Sequence, residues 1–206
     1  MVPIFNRPHT RYEKQLRNQG HQAIVGLDEV GRGAWAGPLM ACAAIMPEKP
    51  RLYSVRDSKM LTPKKREVLA ERIKERAVCW AIGSVEHDEI DSIGIVRANE
   101  LAMLRAVQHL DVAPDHILID AFKISGLPVA YSAIAHGDAL VYSIAAASII
   151  AKVARDALMQ KYAEQFPMYG FDSNKGYGTD AHKKSLDEYG VCSIHRVSFH
   201  PMKTMI

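Results

Sequence analysis

Short apolar runs of strand length alternate with longer helical stretches along almost the whole chain, and that alternation confines it to a layered α/β fold. The first run, 23–27, ends in charge at Asp28-Glu29; a second, 39–46, is closed by Pro47. The stretch between them, 31–38, is short and glycine-rich, so the two strands are expected to form an antiparallel hairpin. Asp57-Ser58-Lys59 reads as a polar loop. Thr62-Pro63 then reads as a helix start, with Thr as the cap and Pro in the first turn, and the helix running to about Ala77. A third strand is expected over 78–85, a largely buried helix over 95–110, a fourth strand over 117–119 with Asp120 at its carboxyl end, and a fifth over 129–135. A long helix follows over 143–165, and a shorter one over 181–189. The expectation is a single domain over residues 1–206. Its α/β core, at about 21–165, holds a central five-stranded mixed sheet flanked by helices, and a C-terminal helical and loop extension covers about 166–206.

With 48% hydrophobic and 24% charged residues, the 206-residue chain can bury an ordinary core, which excludes general disorder. No apolar run approaches the ~18 residues of a membrane span. Arg7, Arg11, Lys14 and Arg17 are not followed by an apolar stretch, so no secretory signal is expected. Cys42, Cys79 and Cys192 are odd in number and far apart, which suits free thiols in a reducing cytoplasm rather than a disulfide framework or a zinc site. A net charge of +3 and a pI near 8.7 permit a nucleic-acid partner without requiring one.

Four acids follow apolar strands: Asp28 and Glu29 after the first, Asp120 after the fourth, Asp138 after the fifth. In open α/β sheets, functional groups gather beyond the strand ends. Two like charges ~4 Å apart repel by about 1 kcal/mol in water and about 4 at an effective dielectric near 20, so such acids hold protons unless a cation compensates them. All-oxygen donors favour Mg²⁺ or Mn²⁺ over zinc. Taken singly, an acid at a strand end is more often a helix cap, a turn residue or half of a surface ion pair. The segment Asp28-Glu29-Val30-Gly31-Arg32-Gly33 is more specific. It lacks the Lys and Ser/Thr of a phosphate-binding loop, and it divides into two acids suited to metal and a Gly-Arg-Gly suited to close backbone approach and phosphate donation. A plain hairpin turn with a solvated Arg is the alternative. At this level a phosphohydrolase of small esters and a non-catalytic nucleic-acid binding module both stay open.

This segment, with Ala36-Gly37-Pro38, resembles the signature of type 2 ribonucleases H (ribonuclease HII). The resemblance continues through Asp57-Ser58-Lys59, Ile119-Asp120, Gly137-Asp138, SIAAASIIAKVARD over 143–156, Lys175-Gly176-Tyr177-Gly178-Thr179, and Ser193-Ile194-His195-Arg196 with Phe199. It implies a ribonuclease H-like fold and an endonuclease that hydrolyses the RNA strand of RNA–DNA hybrids. It also implies cutting on the 5′ side of ribonucleotides embedded in DNA, by a two-metal-ion mechanism leaving 3′-hydroxyl and 5′-phosphate ends. By the same resemblance Asp28, Glu29, Asp120 and Asp138 are the catalytic metal ligands for two Mg²⁺ or Mn²⁺ ions. Gly31, Arg32 and Gly33 read the ribose 2′-hydroxyl, Tyr177 stacks on the following sugar, and Lys59 meets a backbone phosphate. Lys175, Lys183, Lys184 and Arg196 are candidates for holding the duplex. Asp156, inside the long helix, reads as structural and paired with a nearby base. Departures from the pattern are Ala34-Trp35, Ala121-Phe122 and His136. A cytoplasmic monomer with no membrane contact is expected; a replication clamp stays open as a partner, although 200–206 shows no convincing clamp-binding motif.

Overall fold

The computed structural model describes residues 7–56 and 58–205; Asp57 of the Asp-Ser-Lys segment lies outside them. The expected strands are all present: β1 (Ile24–Val30), β2 (Leu39–Ile45), β3 (Cys79–Val85), β4 (His116–Asp120) and β5 (Tyr131–Ile134). They form one sheet in the order β3-β2-β1-β4-β5. β1 pairs antiparallel with β2, and β2 with β3, while β4 runs parallel to both β1 and β5. The sheet is therefore mixed: three α-helices and β3 intervene on the way from β2 to β4, whereas β4 and β5 are joined by the helix-free stretch 121–130.

Helices α1 (Arg11–Asn18), α2 (Pro63–Arg76), α3 (His87–Ile93), α4 (Ile95–Gln108), α5 (Gly137–Leu140), α6 (Tyr142–Gln165), α7 (Phe171–Asn174) and α8 (Asp180–Tyr189) complete the chain. Alternate residues of β2 feed two cores. Ala41, Ala43 and Ile45 face α4 through Ala98, Ala102 and Ala106, while Cys42 and Ala44 face α2 and α6. The first half of α6 is buried all round from Tyr142 to Ala151, which explains its run of Ala and Ile. Its second half carries the C-terminal extension, where Met159 packs with Tyr169, Phe171, Leu186 and Ile194.

Four helices are absent from the sequence expectation: the four-residue turns α5 and α7, and the longer α1 and α3. The latter two are polar and bury little: Leu16 and Glu13 in α1, Ile90 in α3. α1 is held by Glu13 as well as by Leu16 and Tyr12, which pack with Ile24, Leu118 and Ile144. The Glu13 carboxylate accepts from both the backbone N–H and the hydroxyl of Ser143, at 2.9 Å each.

Gly26 sets how closely α6 approaches β1. A Cβ there would overlap the backbone carbonyl of Ser143, which cannot swing aside. Gly26→Ala is expected to lower the denaturant midpoint by an amount equivalent to about 3 kcal/mol, the upper range for overpacking. A midpoint within error of the parent chain would refute this close-approach role.

Candidate active site

β1 runs to Val30, beyond where the sequence suggested it would stop. Glu29 and Val30 still pair with Ala41 and Met40, so Asp28 and Glu29 lie within the strand and not after it. The parallel register then aligns Leu27 with Ile119, which brings Asp120, the last residue of β4, beside Asp28. Asp138 arrives from β5 by a tight turn. His136 adopts a left-handed conformation (φ 58°), and the N–H of Gly137 donates to Asp120 Oδ1 at 2.8 Å. Asp138 then occupies the first turn of α5, a helical position where a strand-end loop was expected.

The four acids share one groove of 390 Å³ with Gly31, Arg32, Gly33, Lys59 and Tyr177. The four acids, the Gly-Arg-Gly loop, Lys59 and Tyr177 thus line the same cleft, whereas the duplex candidates Lys175, Lys183, Lys184 and Arg196 do not line it. Ser58, Ser148 and Lys152 line it too and were not singled out. Ser148 and Lys152 stand one helical turn apart on α6, and that i, i+4 spacing was the available signal.

The electrostatics are those of crowded acids. Burial raises the Asp28 pKa well above the ordinary carboxylate value, and Glu29, Asp120 and Asp138 raise it further, against a lowering hydrogen bond to Ser148. Glu29 is pushed up to about 7, by burial first and then by Asp120, with Arg32 opposing. Asp120 is raised by burial and by Asp138, and lowered by the Gly137 N–H and by Lys59. Lys59 Nζ donates to Asp138 Oδ2 at 2.7 Å from a side chain that is 77% exposed, so solvent screens this pair. The 3₁₀ turn that carries it, Ser58–Met60, is fixed by Arg66, which donates to the carbonyls of Ser58 (3.0 Å) and Leu61 (2.9 Å).

Among the described residues, no three Asp, Glu, His or Cys side chains are grouped closely enough to hold an ion as they stand. The donor set nevertheless suits a hard cation: all oxygen, mutually repelling, with Glu29 Oε2 buried and without a hydrogen-bond partner.

Two fully buried arginines scaffold the loop that follows β1. Arg155 donates to the carbonyls of Ala36 (3.0 Å), Pro38 (2.9 Å) and Lys175 (2.8 Å). Arg196 donates to the carbonyls of Gly37 and Arg32, and so does not serve as the duplex contact expected of it; burial, aided by Arg155, lowers its pKa to about 9. Gly31, at φ +87°, must be glycine because a Cβ would overlap the Arg155 guanidinium. Gly33, by contrast, faces open space. The guanidinium of Arg32 lies 4.6 Å from the centre of the Phe122 ring, which gives the unusual Ala121-Phe122 pair a purpose. Asp156 is structural as expected, held by Lys152 (2.7 Å) and Arg66 (3.4 Å). Lys183 and Lys184 are exposed on α8, and Lys175 is half-buried.

Cys42 and Cys79 are buried, Cys192 is half-buried, and all three are free thiols. Among the described residues no helix is long and apolar enough to cross a membrane.

A family model described as Ribonuclease HII matches residues 25–202. The ribonuclease HII of Desulfitobacterium hafniense is 49% identical over 196 residues, covering 95% of this chain and 75% of that protein. The ribonuclease HII of Bacillus subtilis is 47% identical over 195 residues, covering 95% and 76%. Among solved structures, the ribonuclease H2 of Pyrococcus horikoshii superposes with a TM-score of 0.76 at 26% identity, over 88% of this chain and 96% of that one. The ribonuclease HII of Archaeoglobus fulgidus, solved in complex with PCNA, does so with a TM-score of 0.74 at 25% identity, over 89% and 95%. The match spans the sheet, α6 and the C-terminal extension, and it includes every segment that builds the groove. By sequence and by fold, the chain belongs to the ribonuclease HII family.

Proposed function

We propose that this chain is an endonuclease that hydrolyses the RNA strand of RNA–DNA hybrids and cuts on the 5′ side of ribonucleotides embedded in duplex DNA. The products carry 3′-hydroxyl and 5′-phosphate ends. The observation that carries this reading is the single groove in which four acids meet a Gly-Arg-Gly loop and Tyr177. Membership of the family implies dependence on a divalent cation. Asp28, Glu29, Asp120 and Asp138 would hold it, as Mg²⁺ or Mn²⁺, with a second ion in the reacting complex. Bound there, it supplies Lewis-acid stabilisation of the phosphate and a lowered pKa for the attacking water.

The protein's own part is to select and hold. The backbone of Gly31 and Gly33 approaches the ribose 2′-hydroxyl, the group that distinguishes RNA from DNA. Arg32, held over Phe122, offers its fork of donors to phosphate. Lys59 neutralises Asp138 in the free protein and exchanges that partner for a backbone phosphate when substrate enters. Tyr177 stacks on the sugar after the ribonucleotide. The C-terminal extension, 166–206, completes a single domain with the core and contributes Tyr177, Lys183 and Lys184 to the duplex-facing side. The enzyme acts as a monomer in the cytoplasm.

A DNA duplex carrying one ribonucleotide, incubated with Mg²⁺ or Mn²⁺ and with EDTA as control, is expected to be nicked only in the presence of metal. An intact strand under every metal condition would sink the reading. Tyr177→Ala is expected to lower kcat/KM on the single-ribonucleotide duplex about tenfold, in keeping with ~1–3 kcal/mol for a stacking contact. The loss on long hybrids should be smaller, and equal losses on both substrates reject the junction role.

A further inference from the structure

Behind Tyr177 lies a pair of histidines that the reaction described above does not use. His182, on α8, is fully buried, and His195 is 1% exposed. Their Nε2 atoms are 3.0 Å apart. His182 Nδ1 is 3.0 Å from the carbonyl oxygen of Tyr177. His195 Nδ1 is 2.9 Å from the backbone nitrogen of Cys192 and 3.0 Å from its Sγ.

These distances determine where the protons sit. A carbonyl only accepts, so His182 Nδ1 carries a hydrogen. A neutral His182 then presents a bare Nε2, and His195 Nε2 must donate to it. A neutral His195 is left with a bare Nδ1, which takes the N–H of Cys192. Each link matches the partner it faces, and both rings are neutral. One further proton, on either ring, sets the Cys192 N–H against a second N–H at His195 Nδ1. The Cys192 carbonyl, 3.3 Å from that atom, is the poorer partner and already receives the His195 backbone N–H at 3.0 Å. A second proton opposes two donors across the ring pair itself.

Among the described residues, no acid acts on either ring to compensate added charge. His182 packs against the rings of Trp35, Tyr169 and Phe171. His195 packs against Tyr169 and Phe171 and feels His87 and the Cys192 thiol. Burial and His182 together lower the His195 pKa to about 4, and burial lowers that of His182. The same Trp35 ring fills the space that a Cβ on Gly178 would occupy, and the backbone N–H of Trp35 donates to the Gly176 carbonyl at 2.7 Å. Tyr177 is thus gripped on both flanks and at its own carbonyl.

We propose that His182 and His195 are positioning residues: a neutral imidazole relay, anchored on the Cys192 amide, that holds the Tyr177 carbonyl and thereby aims the Tyr177 ring at the substrate. This rests on the substrate role given to Tyr177 above. His195→Gln keeps a donor toward His182 without a titratable ring, whereas His182→Leu removes the link to Tyr177.

The first test reads the protons. In ¹⁵N-histidine spectra of the full chain, His182 is expected as the Nδ1–H tautomer and His195 as the Nε2–H tautomer, with His182 titrating below the free-histidine value and His195 only near about 4. An Nε2–H tautomer at His182, or titration of either ring near the free-histidine value, overturns the relay.

The second test reads the coupling. On the single-ribonucleotide duplex, His182→Leu is expected to lose about as much kcat/KM as Tyr177→Ala, roughly tenfold, and the double variant no more than either alone. His195→Gln is expected to stay within about twofold of the parent chain, since it keeps the donor. Additive losses overturn the positioning role even where the tautomers are as described. A silent Tyr177→Ala overturns the substrate role itself, and the spectra still report on the relay independently.

Discussion

Asp28→Asn is expected to abolish cleavage and, in the same variant, to make the metal-free protein more stable at neutral pH. The loss of activity follows from position. Asp28 is 6% exposed at the point where β1 meets β4, and its carboxylate lines the groove with Glu29, Asp120 and Asp138. Removing one preorganised charged group of this kind costs about three orders of magnitude in rate. The gain in stability follows from the same crowding. A carboxyl whose folded pKa lies above its unfolded value stabilises the fold fully below the unfolded value, and that contribution is lost as pH rises through the folded value. Asp28 is raised well above 3.8, and Glu29 is raised from 4.5 to about 7, so the stability these two groups contribute to the metal-free chain is lost as pH climbs across that interval.

The measurement is Tm in EDTA at about pH 5 and about pH 7.5, on either side of most of the Glu29 transition. Burial of neutral His195, with its pKa lowered to about 4, favours the fold as pH rises in both chains alike, so the acids are read from the difference: relative to Asp28→Asn, the parent chain should lose Tm on going to the higher pH. Asp28→Asn should melt higher than the parent there, by several degrees, at roughly 2–4 °C per kcal/mol for a chain of this size. Adding Mg²⁺ or Mn²⁺ should raise the parent Tm more at the higher pH, and should raise that of the variant little. A variant that is less stable than the parent at about pH 7.5 in EDTA, or one that cuts normally, overturns the account of the acids.

How much of this was legible beforehand depends on the kind of interaction. Strand and helix periods identified the five strands and the long helices, because those segments bury regular apolar faces. The polar helices α1 and α3 gave no such signal; α1 is held by Glu13 on Ser143, a contact between residues far apart in sequence. The end of β1 was misplaced because charge at Asp28 looks like a stop, whereas the partner strand carries the ladder through Val30. That the acids share one site was suggested by their place at strand ends. What brings Asp28 beside Asp120 is the parallel neighbour relation of β1 and β4, which no local pattern encodes. Arginines are ordinarily exposed, so a sequence reading sends Arg196 to the duplex, while the fold spends it on loop carbonyls. The histidine relay was equally hidden. His195 lies in a segment whose motif was visible and His182 in an expected helix, but only distance reveals that they touch.

Arg155 is the residue whose loss should damage both stability and substrate binding most. It is fully buried, and its guanidinium bridges three carbonyls on two separate segments: Ala36 and Pro38 after β1, and Lys175 before Tyr177. Its cation also lies 5.4 Å from the centre of the Tyr177 ring. Among the described residues its charge has no direct ion-pair partner; the neighbouring Asp156 is taken up by Lys152 and Arg66. The hydrogen bonds are therefore what compensate the burial of the group. Arg155→Met fits a chain of similar length into the space but strands all three carbonyls. Each buried unsatisfied acceptor costs about 1–3 kcal/mol, and since neighbours relax together the expected total is roughly 4 kcal/mol. Arg155→Lys keeps the charge but cannot span three acceptors with one ammonium. It should fold with a smaller loss, about 2 kcal/mol, and show a raised KM at nearly unchanged kcat, because the Gly-Arg-Gly loop and Tyr177 lose their common anchor while the acids stay in place. Denaturant midpoints and steady-state kinetics on the single-ribonucleotide duplex decide it. If Arg155→Lys matches the parent in both midpoint and KM, the clasp is not what aligns the two halves of the site.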